Sequence, residues 1–271
     1  MMQKPQKNLS KEKSINKNNI NSASKTWLQL INYLLSGETI SPRGLETKEQ
    51  ICVGTKINMY EPMVNIKSRN IGERFRYAEA AWILSGDNRV STIAPFSKII
   101  SKFSDDGVRF FGAYGVKVVD QLPYIIQTLK DDPYTRQAVL NIWRENPRKS
   151  NDVPCTLSLQ FVIRNDTLNC LATMRSSDAW LGWPYDAFNF TCISIYTLLQ
   201  LMHQHKKTYK LGNLSINAGS QHLYERNWEK AKLCLDNLSP SIGEIPYWMF
   251  NNGQEFIDYL WEQAHGQLYT T

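Results

Sequence analysis

The sequence predicts one large core of mixed α and β structure, and three patterns carry that prediction. Residues 26–36 and 74–85 place apolar side chains at helical spacing, whereas residues 157–163 and 168–174 alternate as half-buried strands do. Residues 188–203 are apolar over more than four turns, a run too mixed and too short for a membrane span. They predict a buried central helix, against which the strands and the other helices would pack.

The positive charge of the chain is concentrated at its N-terminus. Residues 1–25 contain six lysines and one glutamate, with too little apolar matter to repay the entropy of ordering. These residues therefore contribute +5 (six minus one) to the formal net charge of +6, which leaves the rest of the chain near +1. We therefore expect a disordered basic tail over residues 1–25 and a single domain over residues 26–271. The tail either solubilises the chain or touches RNA or a membrane weakly, and nothing indicates sequence-specific nucleic-acid binding.

The cysteine and histidine content favours a reduced setting and no metal. The sequence shows no signal-peptide pattern and no long apolar run, so we expect an intracellular, cytoplasmic protein. The cysteines are Cys52, Cys155, Cys170, Cys192 and Cys234, and they are not closely spaced. His203 and His205 form a pair without a third ligand of suitable spacing, so we expect no metal site.

The first half of the chain alternates helices with turns that carry charged residues. Gly37 ends the first helix, and the turn at residues 41–47 carries Arg43 and leads toward a strand-like run. An arginine on such a turn is an ordinary solvated charge unless another feature supplies an anion. The second helix carries Glu79 beside its apolar face. That carboxyl either faces water or, if partly buried, has a raised pKa suited to proton transfer.

The middle of the chain predicts a third helix and a strand. Tyr114 lies in a glycine-containing turn at residues 112–115, and a helix follows near residues 121–129. A loop that ends in Arg136 then leads into a strand at residues 138–143.

The second half begins with a hairpin and continues through the central helix. Asn165-Asp166 separates the two alternating runs, and these residue types favour a tight turn. Beyond the central helix, residues 214–217 predict a strand, and His222-Leu223-Tyr224 is expected to open a further helix. Residues 238–271 have weak periodicity, so no element is assigned to them.

Taken together, these motifs resemble the thymidylate synthase family over about residues 26–232, and within it the chain looks most like the deoxycytidylate hydroxymethylases. Each motif alone is weak, but their joint order and spacing are specific. The matching segments are Glu79 with residues 82–87, Tyr114-Gly115, Asp132-Pro133 through Arg136, Pro154-Cys155 with Gln160-Phe161, and residues 175–178, 181–185 and 222–224. The resemblance implies an α/β (α+β) fold with a large mixed sheet flanked by helices, and a homodimer that packs sheet against sheet.

The chemistry of that family assigns a role to Cys155. Carbon 5 of a pyrimidine is a poor nucleophile, so in this family a thiolate first adds to carbon 6. The resemblance implies that Cys155 is this nucleophile and that 5,10-methylenetetrahydrofolate is the co-substrate. Alone, Cys155 would be an ordinary buried cysteine. A nearby Arg175 favours the reactive anion, because a cation lowers a thiol pKa.

The resemblance also implies which residues hold the nucleotide phosphate. These are Arg43, Arg175, Ser176 and an Arg136 from the partner chain, which makes the homodimer obligate. The family usually has two successive arginines at the last position, and Gln137 here replaces the second.

Other positions resemble the family's sugar, proton-transfer and folate contacts. His222 and Tyr224 resemble the pair that contacts the sugar 3′-hydroxyl, although they also fit an aromatic cluster at a helix start. Glu79 resembles the glutamate that organises water and proton transfer near the fourth ring position. Tyr114 resembles the tyrosine linked to proton removal at carbon 5. The implied folate contacts are Asp178, Leu181, Gly182 and Tyr185.

Asp186 departs from the uracil-using members of the family, which have asparagine at this position. The asparagine carbonyl accepts from N3–H of uracil, and its amide donates to O4. Cytosine reverses both groups, so a carboxyl that shares one proton with N3 and accepts from the amino group fits it better. Unpaired buried polar groups cost about 1–3 kcal/mol each, so discrimination should be large. The resemblance therefore implies dCMP as the substrate, unless Asp186 is only a solvated aspartate in a turn.

The product depends on whether water or hydride reaches the transferred carbon. Methylating members stack a tryptophan on the folate and close the site with a short apolar C-terminus. Here no tryptophan occurs between Trp82 and Trp143, residues 267–271 form a different C-terminus, and Thr156 replaces a histidine common in the synthases. We therefore expect a hydroxymethylase that releases tetrahydrofolate. Methylation of dCMP or dUMP, acceptance of CMP, and an inactive nucleotide- or RNA-binding homologue stay open.

Overall fold

The computed structural model describes residues 21–236 and 243–266. Residues 1–20 of the expected tail and the C-terminal residues 267–271 lie outside the described residues. The helices are α1 Ala23–Leu35, α2 Glu73–Leu84, α3 Val90–Ile93, α4 Tyr114–Asp131, α5 Trp183–His205, α6 Trp228–Leu235 and α7 Gly253–His265. The strands are β1 Glu38–Ile40, β2 Thr47–Asn58, β3 Val139–Asn141, β4 Thr156–Arg164, β5 Thr167–Asp178 and β6 Lys210–Tyr224.

The strands form one mixed sheet in the order β1-β2-β6-β5-β4-β3. β5 and β6 run parallel, and every other neighbouring pair is antiparallel. Because parallel strands cannot be joined by a tight turn, the chain must cross over between β5 and β6, and α5 supplies that connection. The predicted mixed sheet flanked by helices is confirmed.

β4 and β5 form the predicted hairpin, with Asn165-Asp166 as its turn. Both residues have positive φ, 51° and 55°, as a two-residue type I′ turn requires. Asn and Asp tolerate this left-handed backbone better than other residues with a side chain. The turn sets the register from Arg164 to Ser158, and an irregularity between Ser158 and Thr156 shifts it so that Thr156 pairs with Met174. Cys155, just before β4, therefore lies beside Arg175 of β5.

α5 is the buried central helix that the sequence predicts. Most of its side chains from Trp183 to Leu201 are buried, and it contacts β5, β6, α2, α4 and α7. The helix starts earlier than expected because Pro184 is tolerated in a first turn, where its missing N–H is not needed. This extension puts Asp186 and Asn189 on the first two turns of a rigid buried element.

α1 begins at Ala23, inside the segment expected to be a tail. The Ser22 hydroxyl accepts a hydrogen bond from the Lys25 backbone N–H (3.2 Å) and so caps the helix. Trp27 is fully buried, and its indole N–H donates to the Ala179 carbonyl (2.6 Å). α1 is thereby anchored to the turn that follows β5.

The prediction that His222-Leu223-Tyr224 opens a helix is wrong. These residues end β6, where His222 pairs with Glu49 of β2 and with Asp178 of β5. Burial alternates along most of β6, and pairing with strands on both sides outweighs the local preference. Both aromatic rings therefore lie at the end of the sheet, next to the last residues of β5.

The C-terminal segment, for which no element was expected, contains α7. The Asn252 side chain accepts hydrogen bonds from the backbone N–H groups of Gln254 and Glu255 (2.9 and 3.1 Å) and caps the helix start. Gly266 follows the helix with φ of 77°, a left-handed conformation that glycine adopts without strain. α7 packs against α2 and α5, so it supports the two helices that carry candidate catalytic residues.

Candidate active site

A cavity of about 170 Å³ lies between α2, α4 and α5. Three predicted catalytic residues, Glu79, Tyr114 and Asp186, line it. The other lining residues are Trp82, Ile83, Ile100, Phe103, Phe110, Gly112, Ala113, Asp152 and Asn189. Apolar walls with a few convergent polar groups are typical of a ligand site.

Cys155 is held next to Arg175 across the β4–β5 hairpin. The Arg175 backbone N–H donates to the Cys155 carbonyl (2.9 Å), and its guanidinium Nη2 lies 3.7 Å from the Cys155 Sγ. The guanidinium also donates to the carbonyls of Pro154 (2.9 Å) and Val153 (3.0 Å). Those two bonds fix its orientation, so a rigid cation stands beside the thiol.

Burial nevertheless outweighs this cation at Cys155. It raises the pKa of the Cys155 thiol, Arg175 only partly offsets the effect, and Asp186 and Asp178 raise the pKa further. The expectation that Arg175 by itself would favour the thiolate is therefore incomplete. In the free protein the thiol keeps its proton at neutral pH.

Tyr114 begins α4 and is tied to the residue after Cys155. Its hydroxyl oxygen accepts hydrogen bonds from Thr156 Oγ1 (2.9 Å) and from the Thr156 backbone N–H (3.4 Å). Burial raises the pKa of Tyr114 well above its usual value, and the charges of Asp186 and Cys155 raise it further. The phenol is therefore neutral and keeps a proton that it can donate.

Glu79 of α2 pairs with Asn189 of α5, a residue that the sequence analysis did not single out. The Asn189 Nδ2 donates to Glu79 Oε2 (2.8 Å). Burial raises the pKa of Glu79 to about 7, although the Asn189 hydrogen bond opposes this shift. A carboxyl that titrates near neutral pH can both take and give a proton under working conditions.

Asn189 is a mid-helix polar residue, a type with many structural roles, so the sequence held no clear signal for it.

Asp186 lies in the first turn of α5 with its carboxyl in the cavity wall. Its backbone N–H donates to the Gly182 carbonyl (3.0 Å). Burial raises the pKa of Asp186 well above its usual value, and Glu79 and Asp178 raise it further. This shift favours the protonated carboxyl, which offers one O–H donor and one acceptor oxygen to the cavity. It is not a solvated aspartate of a turn.

The predicted phosphate ligands lie on three separate parts of the chain. Arg175 and Ser176 are neighbours on β5, and Arg43 lies on the exposed turn between β1 and β2 with φ of 54°. Arg136 is exposed on the loop before β3, where its carbonyl accepts from Gln160 Nε2 (2.9 Å). Arg43 and Arg136 thus stand at opposite edges of the sheet. A strained arginine backbone at a turn is a feature that functional sites often retain.

His222 and Tyr224 form an aromatic pair at the end of β6. Their ring centroids are 5.1 Å apart and the ring planes meet at 82°. Burial lowers the pKa of His222, and Arg43 adds to that effect, whereas Asp178 and Glu49 oppose it. The lowered pKa favours the neutral imidazole at neutral pH.

The predicted folate contacts form a rigid turn between β5 and α5. The Asp178 carboxylate accepts from the backbone N–H groups of Trp180 (2.8 Å) and Leu181 (3.1 Å). The Gly182 backbone N–H donates to the Asp178 carbonyl (2.9 Å). The Leu181 side chain is 45% exposed, so it presents an apolar surface to solvent.

Tyr185 joins this turn to the start of α2. Its hydroxyl oxygen accepts from the Gly72 backbone N–H (3.1 Å), and its ring packs edge-on against Phe75 with centroids 5.2 Å apart. These contacts leave Tyr185 partly exposed beside the turn. Its placement suits an aromatic ligand that lies along the turn.

Ile100 and Phe103 line the cavity and were missed by the sequence analysis, which searched this stretch for tryptophan. Phe103 is 48% exposed although it is a large apolar side chain. An unpacked phenyl ring at a cavity wall provides a stacking surface for a flat ligand. The signal available in the sequence was the apolar spacing of Ile99, Ile100 and Phe103 in a segment otherwise rich in polar residues.

Replacing Glu79 with glutamine should remove part of the pH dependence of stability. The pKa of Glu79 is about 7 in the folded protein, against an unperturbed 4.5. Between these values the folded state binds more protons than the unfolded state, so stability falls as pH rises through this window and is flat above it. From about pH 5 to about pH 8, the free energy of unfolding of the wild type should fall by about 2–3 kcal/mol more than that of Glu79→Gln in urea titrations.

The matched control is Glu73→Gln, an exposed glutamate on the same helix. It should retain the wild-type pH dependence. If Glu79→Gln and Glu73→Gln behave alike, the raised pKa of Glu79 is contradicted.

Among the described residues, no group of three or more His, Cys, Asp or Glu side chains could hold a metal ion. No helix in residues 21–236 and 243–266 is long and apolar enough to cross a membrane.

The sequence matches known proteins over most of its length. The family model described as thymidylate synthase covers residues 25–265. A deoxyuridylate hydroxymethyltransferase of Bacillus phage SP01 is 33% identical over 189 residues, which are 61% of this chain and 48% of the relative. A deoxyuridylate hydroxymethyltransferase of Pseudomonas phage M6 is 35% identical over 138 residues, which are 47% of this chain and 39% of the relative. The matched segments thus span less than half the length of either relative.

Proposed function

This chain belongs to the thymidylate synthase family, and from that premise we propose that it transfers a one-carbon unit to carbon 5 of dCMP and releases 5-hydroxymethyl-dCMP and tetrahydrofolate. The observation that carries this proposal is the position of the Asp186 carboxyl in the wall of a cavity that also holds Glu79 and Tyr114, where burial raises the pKa of Asp186. The relatives named above support a hydroxymethyl product, since both are hydroxymethyltransferases by name.

Cys155 is the proposed nucleophile at carbon 6 of the ring. The rigid Arg175 guanidinium, with Nη2 3.7 Å from the Cys155 Sγ, stabilises negative charge as the sulfur loses its proton. Since burial keeps the thiol neutral in the free protein, the thiolate forms only when a substrate is bound. The pKa of Glu79, about 7, suits it to moving protons at the ring, and Tyr114, whose pKa burial raises, keeps a proton that it can donate there.

Asp186 supports cytosine rather than uracil as the base. A protonated carboxyl donates to N3 of cytosine and accepts from its amino group, so both partners are satisfied. Uracil presents the reverse pattern, so the same carboxyl pairs with it only when the proton sits on the other oxygen, which then donates to O4 while the carbonyl accepts from N3–H. The names of the relatives favour dUMP as the second candidate substrate, because both act on deoxyuridylate by name.

The residues around the cavity fit a folate co-substrate. 5,10-Methylenetetrahydrofolate supplies the one-carbon unit when it is bound. Phe103 and Leu181 are large apolar side chains that are 48% and 45% exposed, and they offer stacking and contact surfaces to a flat ring. Asp178, Gly182 and Tyr185 hold in place the turn that carries Leu181.

Product analysis tests the proposal. The purified chain is incubated with 5,10-methylenetetrahydrofolate and with dCMP, dUMP or CMP, while product mass and the absorbance of dihydrofolate are followed. We expect dCMP to gain CH2O without dihydrofolate formation. A product that gains CH2 together with dihydrofolate would identify a methylating enzyme, and a hydroxymethyl product from dUMP alone would overturn the cytosine assignment. No release of the carbon 5 proton from any nucleotide would identify an inactive binding homologue.

A homodimer would complete the phosphate site. Arg43 and Arg136 stand at opposite edges of the sheet, so one chain alone cannot bring both to the same phosphate. Two chains whose sheets pack against each other can do so. The side chain of Ile51 on β2 is 71% exposed, as expected for a sheet that a second copy covers. We propose that Arg136 of the partner subunit binds the phosphate held by Arg43, Arg175 and Ser176.

Subunit mixing tests this arrangement. Cys155→Ala and Arg136→Ala should each be nearly inactive alone, because one removes the nucleophile and the other removes a phosphate ligand. After the two variants are mixed and allowed to exchange subunits, about a quarter of the sites contain both native residues, so about a quarter of wild-type activity should return. If mixing restores no activity although the subunits exchange, Arg136 serves its own chain or no site at all.

A further inference from the structure

Two residues that line the cavity each carry a buried polar atom with no hydrogen-bond partner among the described residues. These atoms are Trp82 Nε1 and Asn189 Oδ1, and their residues are only 5% and 4% exposed. Trp82 cannot turn easily to find another partner, because its ring packs edge-on against Phe110 with centroids 5.5 Å apart. Asn189 is held in place because its amide donates to Glu79 (2.8 Å). Unsatisfied buried atoms of this kind cost free energy unless water or a ligand pairs with them.

The chemistry of these two atoms matches water. An indole N–H only donates and an amide carbonyl only accepts, so together they can bind one molecule that does both. The cavity of about 170 Å³ exceeds the roughly 30 Å³ that one water occupies in the liquid. The Glu79 carboxyl lines the same cavity and offers a third polar partner, as buried waters usually have.

We propose that Asn189 and Trp82 are positioning residues that hold the reacting water of the hydroxymethyl transfer beside Glu79. This inference rests on the proposed function and adds to it the residues that select water. The Asn189 amide fixes the Glu79 carboxylate, its carbonyl accepts a hydrogen bond from the water, and the Trp82 indole donates to the water oxygen. One polar cluster thus orients both the water and its base.

The step that this water performs balances without an oxidant or a reductant. The water oxygen bonds to the methylene carbon on carbon 5 of the ring, one water proton passes to the Glu79 carboxylate, and the methylene double-bond pair moves into the ring. The ring then re-forms its C5–C6 double bond as the bond from carbon 6 to the Cys155 sulfur breaks. The sulfur leaves with the bonding pair as a thiolate, and the product carries the hydroxyl.

Single-turnover experiments with enzyme in excess separate this step from the earlier ones. Release of tritium from carbon 5 of dCMP reports loss of the ring proton, and the mass of the product reports water addition. We expect Asn189→Leu to slow formation of 5-hydroxymethyl-dCMP by about 10- to 100-fold, because the water loses its orientation, while tritium release slows less than about threefold. A protein species carrying the nucleotide and the extra carbon on Cys155 should accumulate and be visible by mass spectrometry after acid quenching.

Two further variants keep the test sharp. Trp82→Phe keeps the aromatic packing on Phe110 and removes only the N–H, so it should also delay product more than tritium release. Ser194→Ala is the matched control on α5, since the Ser194 hydroxyl contacts the Phe190 carbonyl of its own helix (2.8 Å) and the Cys170 thiol, and neither Ser194 nor Cys170 belongs to the residues that line the cavity. It should change neither rate.

The pH dependence of water addition distinguishes a positioning role from a purely structural one, because a structural role would leave that dependence unchanged. Water addition should speed up as pH rises through the pKa of Glu79, about 7, because the carboxylate is the base. The Asn189 hydrogen bond lowers that pKa, so its loss should move the rise to higher pH. The titratable groups that face Glu79 are Tyr114, Asp152, Tyr185 and Asp186, and none of them is altered in Asn189→Leu.

Each outcome decides between the two proposals. If the wild type makes 5-hydroxymethyl-dCMP but both rates fall equally in Asn189→Leu and in Trp82→Phe, these residues only support the fold, and the inference is wrong. If the wild type releases tritium but makes no hydroxymethyl product, the proposed function itself fails and the water site fails with it.

Discussion

Replacing Cys155 with alanine should abolish release of tritium from carbon 5 of dCMP, with a loss of at least about 10⁴-fold, as is usual when a covalent nucleophile is removed. The reason is that the ring becomes reactive at carbon 5 only after the sulfur has added to carbon 6. Because Arg175 stays in place through its bonds to the carbonyls of Val153 and Pro154, the variant should still bind nucleotide. The measurement is tritium release in the presence of 5,10-methylenetetrahydrofolate, combined with equilibrium binding of dCMP.

Cys52→Ser is the matched control, since Cys52 is an exposed cysteine on β2. It should retain wild-type tritium release. Appreciable release from Cys155→Ala would show that another group attacks the ring and would remove the mechanism proposed above.

The acids of this site share one electrostatic property. Burial raises the pKa of Glu79, Tyr114, Cys155 and Asp186 alike, so these four groups carry little negative charge in the empty site. Such a site accepts a pyrimidine ring without the cost of desolvating several charges. The steps of the proposed reaction then differ in which groups carry protons, rather than in the positions of fixed charges. This explains why a single cation is placed at the sulfur, where negative charge must develop.

The elements that the sequence predicted well are those whose signal is local. The alternation of apolar and polar residues on both sides of Asn165-Asp166 indicates strands with one buried face. The apolar run that forms α5 indicates a helix buried on all sides. Both elements could therefore be predicted without knowing which other segments pack against them. The end of β6 could not be found in this way. His222 lies in a strand because β2 and β5 pair with it, and Tyr224 because β2 pairs with it. Such distant partners leave no mark in the local sequence.

The residues of the candidate site also fall into those that the sequence indicated and those that it did not. Glu79, Tyr114, Cys155 and Asp186 were predicted because their motifs resemble a family, and the fold brings three of them to one cavity. Asn189 and Phe103 were missed because an asparagine inside a helix and a phenylalanine in a loop have many ordinary structural roles. Only the contact of Asn189 with Glu79 and the exposure of Phe103 distinguish them, and both are properties of the folded chain.

Replacing Asp186 with asparagine should move the substrate preference from dCMP to dUMP. The asparagine amide would donate to O4 of uracil and its carbonyl would accept from N3–H, whereas cytosine would be left with two mismatched groups. Each buried mismatch costs about 1–3 kcal/mol, so the ratio of kcat/KM for dCMP over dUMP should fall by about 10²- to 10⁴-fold. Competition of the two nucleotides in one reaction, with products separated by mass, measures this ratio directly.

Asp152→Asn is the matched control for the change at Asp186. Asp152 also lines the cavity, and burial also raises its pKa, but its carboxylate accepts from the Gly112 backbone N–H (2.7 Å) and is assigned no contact with the base. The preference should therefore stay with dCMP in Asp152→Asn. If Asp186→Asn keeps the wild-type ratio, the carboxyl of Asp186 does not read the base. The protonation that burial imposes on it would then have to serve a proton transfer instead.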